Sequence, residues 1–216
     1  MDKITFEQLP DLFAAVGEVF VEKKDELCDM DAKLGDGDLG LTMSKGYAAL
    51  PDLMRAEADG AAGDVGKLLM KAGMKMSALV PSTMGFLMST GVMEGGKALK
   101  GKTELDGAGL ATYLTGFAAG VQKRGKCQPG QRTIYDAVLP AAEAAAKAVA
   151  DDPAADLNAV IDAAVKAAEG GVEATKDMIP VFGKAAVHAA ACAGVPDQGA
   201  IAGYYKMVGL RNYINK

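Results

Sequence analysis

The residues best suited to chemistry stand close together, in Asp31-Ala32-Lys33-Leu34-Gly35-Asp36-Gly37-Asp38-Leu39-Gly40. Carboxylates packed this closely repel one another unless a hard cation sits among them. Mg²⁺ suits such a loop, because it takes one or two carboxylates per ion and completes its octahedron with water and phosphate oxygens. Bound cations would reverse the local sign and turn an acidic loop into a phosphate site. A solvated turn between helices would use the same residue types, since Asp and Gly are both common in turns. The spacing alone leaves both readings open.

Three better-known motifs fail on inspection. Gly35-x-Gly37-x-x-Gly40 has the spacing of a dinucleotide fingerprint. That fingerprint needs a preceding strand, and Asp36 and Asp38 would point negative charge at a bare pyrophosphate. An EF-hand loop counted from Asp29 places Lys33 at the fifth position and Leu34 at the obligatory glycine. Gly91-x-x-x-x-Gly96-Lys97-Ala98 lacks the hydroxyl that holds Mg²⁺ in a P-loop, and it ends a helix where a strand-to-helix turn is needed.

Pro81-Ser82-Thr83 is a helix start, with hydroxyls placed to cap and backbone N–H groups left over. Such a terminus serves as a cap and can also receive an anion. His188 lies in an alanine-rich helical stretch and reads as a helix residue before a phosphoryl carrier. A lone histidine also excludes metal sites that need several. The 12 methionines read as adaptable core filling.

The elements that must position these residues are helices. Thr5 and Gln8 form a capping box, and Leu9, Leu12, Phe13, Val16 and Phe20 then make one apolar stripe on a helix expected to reach about Met30. Further helices are expected near 41–57, 63–78, 82–98, 108–124, 133–150, 155–169, 183–193 and 198–208, with no half-buried strand pattern. Short breaks punctuate the chain at Pro51-Asp52, Ala58-Asp59-Gly60, Leu105-Asp106-Gly107, Gln128-Pro129-Gly130, Asp152-Pro153 and Gly170-Gly171. None resembles an interdomain linker, so a single all-α domain spanning 1–216 is expected.

With 216 residues, half of them hydrophobic, the chain can bury a sizeable core. A net charge of −5 offers no footprint for nucleic acid, so a polyanionic ligand needs a metal or a local basic group. Cys28, Cys127 and Cys192 are widely spaced and form no CxxC pair, as expected of reduced thiols. The acidic, mixed N-terminus is unlike a signal peptide, and no apolar run reaches the roughly 20 residues that span a bilayer. A cytoplasmic protein is the expectation.

Taken in order, the motifs resemble the nucleotide-binding subunit of bacterial dihydroxyacetone kinases. Asp31, Asp36 and Asp38 stand at the spacing of that family's acidic loop. Gly130-Gln131-Arg132-Thr133-Ile134-Tyr135-Asp136 matches its Gly-Asp-Lys-Thr-Met-x-Asp run, and Gly171 to Met178 its Gly-x-x-Ala-Thr-x-x-Met segment. Gly183-Lys184-Ala185 and Asp197-Gln198-Gly199-Ala200 match its Gly-Arg-Ala and Asp-Pro-Gly-Ala elements.

The resemblance implies an antiparallel eight-helix barrel with a nucleotide, ADP or ATP, at one end. It implies two Mg²⁺ ions held by Asp31, Asp36 and Asp38. Leu39, Gly40, Leu41, Thr42, Thr83, Met84 and Lys184 would lie at the phosphates, and Gly125, Ile134, Asp197, Gln198 and Gly199 around the adenosine. The partners it implies are a substrate-binding kinase subunit and, where ADP is a recharged coenzyme, a phosphotransferase-system phosphocarrier. Neither nucleic acid nor a membrane is expected as a partner.

Departures from the family pattern fall on the phosphate cradle. Leu39 replaces a histidine, and Lys184 replaces an arginine, a point charge in place of a fork. Pro81-Ser82-Thr83-Met84-Gly85 replaces Gly-Gly-x-Ser-Gly, with Ser82 positioned to restore the displaced hydroxyl. A kinase subunit acting on a small keto-sugar is the leading reading, and a non-catalytic regulatory helical module is the alternative.

Overall fold

The computed structural model describes residues 1–187 and 189–216, so His188 and the expectation attached to it lie outside the described residues. The helices are α1 (Leu9–Glu22), α2 (Lys24–Leu34), α3 (Leu39–Ala61), α4 (Val65–Leu79), α5 (Thr83–Ala98), α6 (Gly107–Gly125), α7 (Tyr135–Asp151), α8 (Leu157–Ala174), α9 (Gly183–Val187) and α10 (Gln198–Ile214). Side-chain oxygens of Asp64, Ser82, Asp106, Asp156 and Asp197 accept from first-turn amides and start α4, α5, α6, α8 and α10.

Successive neighbours form a ring: α1 packs on α3, then α3 on α4, α4 on α5, α5 on α6, α6 on α7, α7 on α8, α8 on α10, and α10 closes on α1. Neighbours run antiparallel, including the two pairs joined through longer segments, α1 with α3 and α8 with α10. Arg55 near the end of α3 bonds Asp11 near the start of α1 at 3.0 Å, and Asn215 at the end of α10 bonds Asp162 near the start of α8 at 3.4 Å. This is the antiparallel eight-helix barrel that the resemblance implies, with α2 and α9 lying outside the ring. Phe13, Phe20, Tyr47, Phe117 and the methionines Met43 and Met54 fill it, all fully buried, and Phe20 stacks on Tyr47 at 4.8 Å.

Several expected boundaries shift. The first helix breaks at Lys23, because the apolar stripe ends at Phe20 and the charge run Glu22–Glu26 gives the core nothing to hold. α2 then restarts with Leu27, Asp31 and Leu34 facing inward. Pro51 does not break α3, nor do Ala58-Asp59-Gly60; the helix runs through them to Ala61, with Pro51 buried. α8 likewise continues past Gly170-Gly171 to Ala174, and α10 extends to Ile214. The stretch expected as one helix over 183–193 is the five-residue α9 followed by a 3₁₀ turn, Ala189–Cys192. A two-stranded antiparallel ladder, β1 (Ile4–Thr5) with β2 (Glu104–Leu105), pairs segments too short to show alternation.

Candidate functional site

In a ring of antiparallel helices, alternate members begin at the same end. The starts of α3, α5, α7 and α10 therefore meet, and a cleft of about 390 Å³ opens among them. Each start presents amides without intrahelical acceptors and the positive end of a helix dipole, so the arrangement favours an anion.

The loop from α2 to α3 is organised by Asp31. This buried side chain turns Oδ2 toward the loop and accepts from the N–H of Gly37 at 2.9 Å, Asp38 at 3.1 Å and Leu39 at 3.4 Å. Its Oδ1 accepts from Gln198 Nε2, at the start of α10, at 3.3 Å. Asp36 and Asp38 stay exposed, and one carboxylate oxygen from each of Asp31, Asp36 and Asp38 lies within 4.8 Å of the others. Partial burial, then the Asp36 and Asp31 charges, push the Asp38 carboxyl up, while Lys184 opposes the shift. A hard divalent cation fits this all-oxygen donor set.

Gly40 explains how α3 reaches the site. A Cβ there would strike the Lys24 carbonyl and the Cys28 sulfur, so only glycine lets α3 pass this close to α2.

Across the cleft, Ser82 Oγ accepts from Gly85 N–H at 3.0 Å and lies 3.5 Å from Thr42 Oγ1. Thr83 and Met84, in the first turn of α5, line the opening. Lys184, on α9, places Nζ 3.2 Å from Asp36 Oδ2. Ile134, Asp197, Gln198 and Gly199 form the opposite wall.

The cleft gathers Asp31, Asp36, Asp38, Leu39, Ser82, Thr83, Met84, Ile134, Lys184, Asp197, Gln198 and Gly199. Gly40, Leu41 and Thr42 lie outside its lining; Leu41 points to solvent at 55% exposure, and Thr42 approaches only through Ser82. Gly125 stands one side chain behind the wall, facing the cleft residue Leu87 and Cys127. Gly91 packs against the Phe117 ring and Gly96 against Leu69 inside α5, in keeping with the rejected P-loop.

Sequence reasoning missed Arg132. Its backbone has φ +56, and its buried guanidinium donates to the Val195 carbonyl at 2.9 Å and lies 3.7 Å from Asp197 Oδ1. Nε finds no partner among the described residues. Burial pushes the Asp197 carboxyl up to about 6, although the Ala200 N–H and the Arg132 charge both oppose this. The charge of Arg132 within the Gly130–Asp136 run was visible, but its inward turn follows from backbone conformation. Leu34, Leu87, Thr133 and Phe182 also line the cleft, without individual sequence signals.

Comparison with known proteins places this geometry in a family. The DAK2 domain matches residues 33–212. The ADP-binding subunit of PEP-dependent dihydroxyacetone kinase 2 from Listeria innocua is 33% identical over 132 residues, 59% of this chain and 59% of that protein. The D-erythrulose kinase of Mycolicibacterium smegmatis is 31% identical over 188 residues, 87% of this chain but 32% of that larger protein. The dihydroxyacetone kinase of C. freundii, crystallised with AMP-PNP and Mg²⁺, superposes with a TM-score of 0.64 at 22% identity, covering 95% of this chain and 33% of that one. The latter likeness concerns the fold. The matching region thus spans about three-fifths of the subunit-sized relative and a third of the larger kinases. On the strength of a domain match that covers well over half of its length, the chain belongs to the DAK2 domain family.

Proposed function

We propose that this chain is the Mg²⁺–nucleotide subunit of a two-component phosphotransferase, delivering a phosphoryl group to dihydroxyacetone or a related small keto-sugar held on a substrate-binding partner subunit. The observation that carries the reading is the meeting of Asp31, Asp36 and Asp38 with helix starts and Lys184 around one cleft. The kinases among the relatives support it.

In this reading Asp31, Asp36 and Asp38 hold two Mg²⁺ ions, which supply charge neutralisation for the phosphates of ADP or ATP. The first-turn amides of α5 at Thr83 and Met84, Leu39 at the start of α3, and the Lys184 ammonium orient the phosphoryl chain. Ser82 holds the α5 terminus in place by capping it. Ile134 and Asp197 to Gly199 receive the nucleoside, with Gly125 behind them. Phosphoryl transfer gains most from positioning and electrostatic stabilisation, which is what such a cleft provides. The sugar and its proton acceptor belong to the partner. The donor is ATP itself, or ADP recharged by a phosphotransferase-system phosphocarrier, and the reaction takes place in the cytoplasm.

Mixing the chain with a substrate-binding dihydroxyacetone kinase subunit, dihydroxyacetone and either ATP or a charged phosphocarrier tests the reading. Sugar phosphate should form only when both chains are present. Leu39, whose side chain brings no hydrogen-bond donor to the cleft, favours a second reading as a regulatory module. Nucleotide binding without sugar phosphate from any donor would select it.

A further inference from the structure

Asp31 is held at both of its oxygens, and the two holds do different work. The Gly37, Asp38 and Leu39 amides all converge on Oδ2, more donors than one oxygen has lone pairs, so Oδ2 has nothing left for a cation. Amides on Oδ2 alone would leave the carboxylate free to turn about that oxygen. The second hold removes this freedom. Gln198 Nε2 donates to Oδ1 at 3.3 Å, and the Gly35 backbone backs the same oxygen so closely that a Cβ there would collide with it. With both oxygens fixed, the plane of the carboxylate is fixed.

Gln198 is itself well anchored. It is the first residue of α10, whose N-cap Asp197 accepts from Ala200 N–H at 2.8 Å through Oδ2. Asp197 N–H donates to Thr175 Oγ1 at 2.9 Å, and Asp197 Oδ1 lies 3.7 Å from Arg132 Nη1. Asp197, Thr175 and Arg132 are all buried. Gln198 thus stands in the wall assigned to the nucleoside, while its side chain reaches across to the acidic loop. The Asp-Pro-Gly-Ala element that this segment resembles has proline at the same position, with no side-chain donor, so the contact belongs to this chain's own sequence.

We infer that Gln198 is a positioning residue for the metal centre, whose amide aims the one free lone pair of Asp31 Oδ1 at the cation and thereby favours a small octahedral ion over Ca²⁺. The inference rests on the metal site of the proposed function. An oxygen that gives one of its two lone pairs to Gln198 has one left, so Asp31 meets a cation through a single oxygen in a fixed direction. Mg²⁺ and Mn²⁺ suit that arrangement, because an octahedral ion takes its oxygen ligands at set angles. Ca²⁺ takes more oxygens, often two from one carboxylate, in a flexible geometry, and gains little from a fixed Asp31. Hydrogen-bonded partners of a liganding carboxylate govern metal affinity in this way.

The test titrates Mn²⁺ and Ca²⁺ separately into the nucleotide-free full chain, Gln198→Met and Gln198→Pro by calorimetry. Methionine keeps the length of the side chain without its donor, and proline suits the first position of a helix. Urea unfolding checks that each variant is folded. The wild type should bind Mn²⁺ more tightly than Ca²⁺. Both variants should lose about 10- to 100-fold in Mn²⁺ affinity, the usual effect of removing a partner of a metal ligand. Ca²⁺ affinity should fall far less, so that the preference for Mn²⁺ narrows, which a general loosening of the site would not produce. Equal losses for the two ions, unchanged Mn²⁺ affinity in the folded variants, or a wild type that prefers Ca²⁺ would overturn the positioning role and leave the metal site standing. Absence of Mn²⁺ binding in the wild type would overturn both.

Discussion

Gln198 Nε2 donates to Asp31 Oδ1 at 3.3 Å, tying the start of α10 to the acidic loop over a sequence separation of 167 residues. The other oxygen of the same carboxylate gathers the Gly37, Asp38 and Leu39 amides. Asp31 therefore shapes the loop as well as offering it charge, whereas Asp36 remains exposed.

These environments separate the two aspartates experimentally. Asp31→Ala leaves the Gly37, Asp38 and Leu39 N–H groups without this acceptor, that of Leu39 in a buried setting, and should cost about 1–3 kcal/mol in urea unfolding, together with Mg²⁺-dependent nucleotide binding. Asp36→Asn should abolish the same binding while leaving the unfolding free energy within about 0.5 kcal/mol of wild type. A large loss of stability in Asp36→Asn would contradict this division of labour.

Leu39 is 4% exposed at the edge of the cleft. Leu39→His restores a donor beside the phosphate position, at the cost of placing a polar ring in a largely apolar setting. Nucleotide affinity in Mg²⁺ should rise by up to about tenfold, on the order of one hydrogen bond to a charged group. The melting temperature should fall. Unchanged or weaker affinity would show that the leucine reshapes the site rather than merely lacking a donor.

At Gly40 the restriction is steric. Gly40→Ala drives a methyl into the Lys24 carbonyl and should destabilise the protein by about 1–3 kcal/mol, with weaker nucleotide binding because the start of α3 is displaced. Differential scanning calorimetry and a nucleotide titration would measure the two effects. A neutral outcome would mean that α2 can move away freely.

Lys206 of α10 is fully buried in the barrel, with Nζ 4.0 Å from the Phe117 ring centre and 4.8 Å from that of Tyr113. Nζ has no hydrogen-bond partner among the described residues, and burial pulls its ammonium down to about 7. The unfolded chain keeps this proton up to about pH 10.5, so it binds more protons than the folded chain above pH 7. The contribution of this residue to stability should therefore rise with pH between about 7 and 10. Lys206→Met should gain about 1–3 kcal/mol at pH 7, since the ring faces offset only part of the desolvation cost. The advantage should shrink by pH 9.5 in urea unfolding. A gain independent of pH would show that the buried lysine keeps its proton across this range, as the unfolded chain does.

The barrel was legible because most of its helices carry an apolar stripe and begin with a capping side chain, as Ser82 and Asp197 show. What escaped was decided by tertiary contact. Pro51 looks like a stop in local terms, yet packing carries α3 through it. The break at Lys23 depends on where the core ends, which no window of sequence displays. At the site, the loop acids announced themselves by spacing. Arg132 did not, because its inward turn follows from a positive φ, and Leu87 joins the cleft only through the fold. Gly125 shows the converse: it was expected at the nucleoside and sits behind Leu87.

Calorimetric titration of the purified, nucleotide-free chain with ADP and ATP, first in Mg²⁺ and then in EDTA, tests the central claim most directly. Binding in Mg²⁺ that disappears in EDTA and in Asp36→Asn is the predicted result. Folded protein that gives no heat with either nucleotide, or that binds equally well in EDTA, would contradict a metal-bridged phosphate site at the acidic loop.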